Sequence, residues 1–302
     1  MKPAVEVLKK SYIEFLLQEK ITPNERSDDL LGQYYEPLAQ WLASQATKRP
    51  VVVGLNGAQG SGKSTLALLL KRLLESHFNR RVLVLSLDDF YLSQQERRQL
   101  AAKVHPLLST RGVPGTHDVG LAIRVVTSMI QNPSEPVLLP VFDKSIDDKS
   151  ADRMSEPNPD IIVFEGWCVG SAPQTASQLI NPINSLEVTC DTKGVWRHYV
   201  NEQLAGPYQT LFHLMDSLIM LKIPHFNSVL KWRLEQEQKL QNALTLKGAV
   251  ASDIMTEKQL EQFVQYFERI SRHTLSVLPE AADVLLSLGE DHQISQMNIK
   301  PL

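Results

Sequence analysis

Cysteine is almost absent: the 302 residues hold two, Cys168 and Cys190. They form neither a CxxC pair nor a zinc spacing, which excludes a disulfide scaffold and a structural zinc site and leaves reduced thiols of a cytoplasmic protein as the expectation. No apolar run approaches the roughly 18 residues that a membrane-spanning helix needs, so no membrane is expected as a partner. The opening segment carries Glu6 and Tyr12 where a signal peptide would want an apolar stretch. Charge of one sign is lacking too. Thirty-one basic residues face 34 acidic ones, a net charge of −3, so no global field draws nucleic acid. What the chain does have is bulk. Apolar residues make up 43% and charged residues 22%, ordinary values for a globular protein, in a chain long enough to bury a large core.

Residues 1–48 read as helical. Val5, Leu8, Ile13, Leu16 and Leu17 approximate one helical face, Thr22-Pro23-Asn24-Glu25 has the form of a capping box, and a further helix is expected from Pro37 to about Ala46. This part is expected to be a helical extension packed on a main domain over 49–302, with Lys48-Arg49-Pro50 as the junction. Short β-branched runs then alternate with apolar-periodic segments. Val51–Leu55, Val82–Ser86, Asp160–Phe164, Ser217–Lys222 and a last strand at Ala282–Leu288 read as buried strands. Helices are expected at 63–77, 121–131, 226–245 and 256–276. That alternation predicts an α/β fold, doubly wound around a mainly parallel sheet. Asp143 to Pro159 reads as an ordered surface loop beside the site.

Gly57-Ala58-Gln59-Gly60-Ser61-Gly62-Lys63-Ser64 fits GxxxxGK[ST], with a buried strand before it and an apolar-periodic helix after it. Glycines let successive backbone N–H groups turn inward onto phosphate oxygens, and the helix start adds its positive dipole end. Lys63 supplies a point charge for the β- and γ-phosphates. Ser64 is placed as a Mg²⁺ ligand, and Thr65 as a donor to another phosphate oxygen. The expected cofactors are ATP and Mg²⁺. The chain has no NKxD guanine motif and no LSGGQ signature, which disfavours a GTPase switch and an ABC ATPase.

Two acidic sites end buried strands, on the edge where open α/β sheets bind ligands. Asp88 and Asp89 follow the second strand, and Asp88 is the candidate base for an acceptor hydroxyl. Glu165 ends the third strand in a Walker B position, a candidate Mg²⁺ ligand. The blander readings are an Asp-Asp helix cap and a solvent-facing carboxylate.

Gly57–Thr65, Leu85–Tyr91 and Glu165-Gly166-Trp167 together resemble the phosphoribulokinase/uridine kinase group of P-loop kinases. Arg111-Gly112-Val113-Pro114-Gly115-Thr116-His117-Asp118, Pro140–Ser145 with Asp152-Arg153, Met215-Asp216-Ser217 and Trp232–Glu237 narrow the likeness to the ATP-dependent D-glycerate 3-kinases of plant and fungal type. The likeness spans roughly residues 50–295. It implies transfer of the γ-phosphoryl of ATP to a hydroxyl of a small hydroxy acid, with Asp88 as base. A carboxylate-bearing acceptor wants cationic forks, and Arg111, His117, Lys144 and Arg153 are the candidates. Asp89, Tyr91, Thr116 and Asp118 are further candidate acceptor contacts. Arg233 is expected on a lid over the phosphates, with an i+4 ion pair to Glu237 as its plainer role. Gly289-Glu290-Asp291-His292 resembles the adenine-side loop. A kinase for a nucleoside or pantothenate, or a nucleotide-gated regulatory protein, stays open as an alternative.

Overall fold

The computed structural model describes residues 2–45, 49–246 and 255–300. The expected helix end at Ala46 and the junction residue Lys48 lie outside them, as does the side chain of Val5. In chain order the main helices are α1 (Lys2–Gln18), α2 (Glu36–Gln45), α3 (Lys63–His77), α4 (Gln94–Lys103), α5 (Val119–Gln131), α6 (Val195–Gln203), α7 (Asn227–Leu246) and α8 (Glu257–Ala281). The strands of the central sheet are β1 (Val51–Gly57), β2 (Val82–Ser86), β3 (Ile161–Gly166), β4 (Ser217–Lys222), β5 (Val284–Leu288) and β6 (Ile294–Ile299).

The sheet runs in the order β6-β5-β4-β1-β3-β2. Strands β1 to β5 are parallel, and β6 closes one edge antiparallel to β5. The sheet is therefore mainly parallel and doubly wound, as the strand–helix alternation implies. β6 was not foreseen, and Ala282–Leu288 is not the last strand. An edge strand carries exposed polar residues on its free side, and Ser295, Gln296 and Asn298 hide the apolar alternation.

Both faces of the parallel strands are covered. Val51, Val53 and Leu55 of β1 join a core cluster with α1, α2 and α3, through Leu8, Tyr12, Leu38, Leu42, Leu70 and Leu73. Val52 faces the other way, into a cluster with Ile162, Phe164, Ala122, Val125 and Met129. Every residue of β1 is buried, which is why Val51–Leu55 runs apolar without alternating. α3 presents Leu66, Leu69, Leu70, Leu73 and Leu74 at helical spacing to the first cluster.

The N-terminal helices belong to this packing. Leu8 is fully buried; Arg72 of α3 pairs with Glu14 at 2.9 Å, and Ser11 donates to Ser76 at 3.1 Å. The expected capping box at Thr22 is not formed. Asn24 instead builds a local turn: its side-chain oxygen accepts from the Arg26 N–H, and its own N–H donates to the Ser27 hydroxyl. Asn side chains bond the backbone two residues on in this way, and the next helical turn begins at Ser27. Among the described residues no helix is long and apolar enough to cross a membrane.

Leu8→Ala leaves a void between α1 and the sheet-facing side of α3. An expected cost of about 2–5 kcal/mol shows as a lower denaturant midpoint at unchanged slope in equilibrium unfolding; an unchanged midpoint would place α1 outside the cooperative core.

Candidate active site

The loop between β1 and α3 turns through Gly60 and Gly62, whose φ angles are +79° and +85°. L side chains rarely adopt that left-handed region, and glycine enters it freely. Gly57 is required for a different reason. A Cβ there would lie 2.6 Å from Ser61 Oγ and 3.2 Å from Lys63 Cβ. The loop thus wraps tightly around its own interior, and α3 begins directly at Lys63. The buried Ser61 hydroxyl has no protein partner. A cradle of this form suits a phosphate chain, which supplies acceptors to backbone N–H groups at a helix start.

Parallel pairing brings the acidic residues beside the cradle. Ser86 at the end of β2 is level with Glu165 in β3, and Glu165 is level with Leu55 in β1. Adjacent strands lie ~4.8 Å apart, so the three strand ends converge. Ser64 donates its hydroxyl to Glu165 Oε1 at 2.7 Å. Glu165 Oε2 is buried without a hydrogen-bond partner and lies 4.0 Å from Lys63 Nζ. A hydroxyl beside a buried, unspent carboxylate oxygen is a donor set that fits a hard divalent cation.

Asp88 sits in a short 3₁₀ turn over Leu87–Phe90, whose N–H at Asp88 is capped by the Ser86 hydroxyl. The Tyr91 hydroxyl donates to Asp88 Oδ1 at 3.0 Å, and Lys144 Nζ donates to Oδ2 at 2.5 Å. Burial pushes this carboxyl up, but Lys144 and Lys63 outweigh burial and hold it down at about 2. It is therefore ionised at neutral pH.

Lys144 arrives from an unforeseen hairpin within the expected loop. Phe142-Asp143 pairs with Asp148-Lys149. Asp147, at a φ of +55°, is clasped by the buried Arg97 of α4 at 2.7 and 3.1 Å and by Arg111. Arg111 also lies over the Phe142 ring, 5.5 Å from its centroid. Arg97 and Asp147 were missed from sequence because 50 residues separate them and each reads alone as a surface charge.

The candidate acceptor residues separate into two groups. Lys144, Tyr91, Arg111 and His117 gather around Asp88 and its hairpin. Asp89 lies beside them, accepting from the Phe142 N–H at 3.4 Å, and burial pushes its carboxyl up. Arg153 is exposed and borders a groove with Lys71 and Arg81. Thr116 and Asp118 flank His117, but their side chains are engaged locally. The buried Thr116 hydroxyl donates to Val113 O at 2.7 Å and accepts from the Gly112 N–H, so it is consumed within its own turn. Asp118 caps α5, accepting from the Leu121 N–H at 2.8 Å. His117 is corrected in kind: burial lowers it to about 3, so it is neutral and no cation for a carboxylate. Trp167 packs rather than reacts, with its indole N–H on Gly112 O at 2.9 Å. Burial pushes the Cys168 thiol up, and a protonated thiol is a poor nucleophile.

Arg233 pairs with Glu237 at 2.8 Å along α7. Between α7, the cradle and the N-terminal helices lies a cavity of about 400 Å³. Gly60, Ser61, Gly62 and Thr65 line it beside Trp232 and His292, whose rings stack at 4.1 Å, and Tyr12, Phe15 and Tyr35 close it. This places side chains of the N-terminal helices beside the phosphate loop, where the sequence pattern implies only a packed extension. No local signal marks Tyr12 or Phe15, since aromatic residues at helical spacing are the ordinary signature of a core face.

Comparison with known proteins agrees with this fold. The KAP family P-loop domain matches residues 32–113. The chain is 36% identical over 230 residues to the uncharacterized kinase mug58 of Schizosaccharomyces pombe, covering 72% of this chain and 79% of that protein. It is 28% identical over 229 residues to the chloroplastic D-glycerate 3-kinase of Arabidopsis thaliana, covering 68% of this chain and 48% of that one. A solved D-glycerate 3-kinase from Cryptococcus neoformans var. grubii shares the fold, with a TM-score of 0.72 at 23% identity over 88% of this chain and 99% of that one. This chain belongs to the family of the Schizosaccharomyces pombe relative, and it is an ATP-dependent P-loop kinase of small molecules.

Proposed function

We propose that the protein transfers the γ-phosphoryl of ATP to a hydroxyl of a small anionic hydroxy acid, with D-glycerate as the favoured acceptor. The observation that carries this reading is the Asp88–Lys144 pair beside the phosphate cradle: a base for a hydroxyl, touching a cation for a carboxylate. The names of the Arabidopsis and Cryptococcus relatives support the choice of glycerate. The reading treats residues 49–302 as the kinase domain and 1–48 as its helical extension, in the cytoplasm, with no nucleic-acid or membrane partner.

The triphosphate lies on Gly57, Ala58, Gln59, Gly60, Ser61, Gly62, Lys63, Ser64 and Thr65, with its base in the cavity walled by Trp232, His292 and Tyr12. Ser64 and Glu165 would hold Mg²⁺, which supplies charge neutralisation at the phosphate oxygens. Asp88 takes the acceptor's proton as that hydroxyl oxygen bonds to phosphorus and the bond from phosphorus to the leaving ADP oxygen breaks. Both Asp88 oxygens are occupied in this structure, so Lys144 exchanges Asp88 for the acceptor's carboxylate when the acceptor enters. Lys63 offsets charge on the moving phosphoryl group, and Arg233 joins it from α7.

ADP release from ATP and Mg²⁺ is the direct test, with D-glycerate beside uridine, pantothenate and ribulose 5-phosphate. Strong stimulation by glycerate is expected. Turnover with another acceptor alone would keep the kinase and discard glycerate. ATP binding without turnover for any acceptor would favour a regulatory role. Asp88→Asn should lower kcat by about 10²–10⁴ while ATP binding, followed by calorimetry, persists.

Lys144→Met separates the two roles of that cation. The acceptor KM should rise and the ATP KM should not. Because Lys144 lowers the Asp88 carboxyl, its loss raises it, so the base is protonated at higher pH. The acid limb of the kcat/KM profile should move upward; a stationary limb would show that Asp88 is not the titrating base.

A further inference from the structure

Beside Asp88 and Tyr91 lies a buried polar atom that the reaction above does not use. His117 is 5% exposed, and its Nε2 has no hydrogen-bond partner. Its position is tightly determined. The Leu92 N–H donates to Thr116 O at 2.9 Å and the Asp118 N–H donates to Phe90 O at 2.7 Å, so the backbone on either side of His117 is bonded to the segment that carries Asp88 and Tyr91. The His117 ring stacks on Tyr91, with centroids 4.3 Å apart and planes 20° from parallel, and Tyr91 is the residue that donates to Asp88.

The other ring nitrogen settles the proton count. His117 Nδ1 lies 2.5 Å from the hydroxyl of Tyr208, which is itself fully buried. That hydroxyl accepts from the Gly115 N–H at 3.1 Å. Tyr208 has one proton to donate, and among the described residues His117 Nδ1 is its only remaining neighbour for it. With the proton directed at Nδ1, every group in the chain Gly115–Tyr208–His117 is satisfied except a single Nε2–H. With Nδ1 protonated instead, two groups are orphaned: the Tyr208 O–H and the bare Nε2. Each buried orphan costs about 1–3 kcal/mol, so the first arrangement prevails.

We infer that Tyr208 is a positioning residue that fixes His117 as the neutral Nε2–H tautomer, and that this N–H donates a hydrogen bond to an oxygen of the acceptor bound beside Asp88. This deepens the functional reading above and rests on it for the identity of the acceptor. A neutral donor adds no charge next to the base. It leaves the acceptor's carboxylate to Lys144 and reads the position of an oxygen, so it selects the acceptor's shape rather than its charge. An acceptor lacking the matching oxygen leaves the N–H unpaired and is rejected for that reason.

The test uses the full chain labelled with ¹⁵N-histidine, its His117 ring signals assigned by their loss in His117→Gln. An Nε2–H ring pattern is expected in the unliganded wild type; an Nδ1–H pattern overturns the inference whatever the turnover. In kinetics, His117→Gln keeps an amide donor near the Nε2 position, while His117→Leu has none. Leu should raise the acceptor KM about tenfold, the value of one hydrogen bond, with the ATP KM within twofold, and Gln should recover most of that loss. Equal acceptor KM values for wild type and His117→Leu overturn the inference. Tyr208→Phe should mix the two tautomers and raise the acceptor KM alone. If that variant fails to fold, the wild-type spectrum and the His117 pair still decide. No turnover with any acceptor, beside an Nε2–H ring, removes the functional reading and leaves the ring assignment standing.

Discussion

The ion pair between Asp88 and Lys144 joins two separate parts of the molecule at the candidate site. Asp88 belongs to the sheet, held at the end of β2 by the register of parallel strands. Lys144 belongs to a hairpin outside the sheet, held by Asp147 between Arg97 and Arg111. Neither partner would be useful alone. A half-buried carboxylate without its cation drifts toward the neutral acid, and a lysine on an exposed hairpin without an anion has no fixed position. Removing either anchor of the hairpin therefore acts on the Asp88 carboxylate at a distance, through the position of one ammonium group. The buried Arg97 matters most here, because a guanidinium taken out of water must keep its carboxylate partner.

The nucleotide side rests on a different constraint. β1 is buried on both faces, and a strand so placed needs a layer of helices on each. The first cluster recruits α1 and α2 for this purpose. One consequence is that the helices that complete the core also wall the cavity beside the phosphate loop, through Tyr12, Phe15 and Tyr35. The same side chains pack the core and wall that cavity, so the N-terminal helices are structural and cavity-forming at once.

Much of the site was legible from local sequence. The phosphate loop, Asp88 and Glu165 each sit at the end of an apolar run, and a buried parallel strand directs the residue at its carboxyl end to one edge of the sheet. The segment Arg111–Asp118 was less legible, for a physical reason. In RGVPGTHD every polar residue is chemically able to touch a ligand, and only tertiary contacts show where each is spent. Thr116 satisfies its own turn, Asp118 caps a helix, and His117 loses its charge to burial. Sequence names the functional groups of such a loop, but it does not show which have already found partners.

The amino-acid sequence by itself determined the alternation of strands and helices, the cradle at Gly57–Thr65 and the acidic strand ends, because each rests on neighbours within a few residues along the chain. Tertiary structure alone decided the edge strand β6, the hairpin that carries Lys144, the Arg97–Asp147 clasp, the aromatic wall from α1 and the Tyr208–His117 contact. Arg97 and Asp147 stand 50 residues apart, and Tyr208 and His117 stand 91 apart. Their pairing depends on burial, and burial is a property of the packed chain rather than of any segment of it.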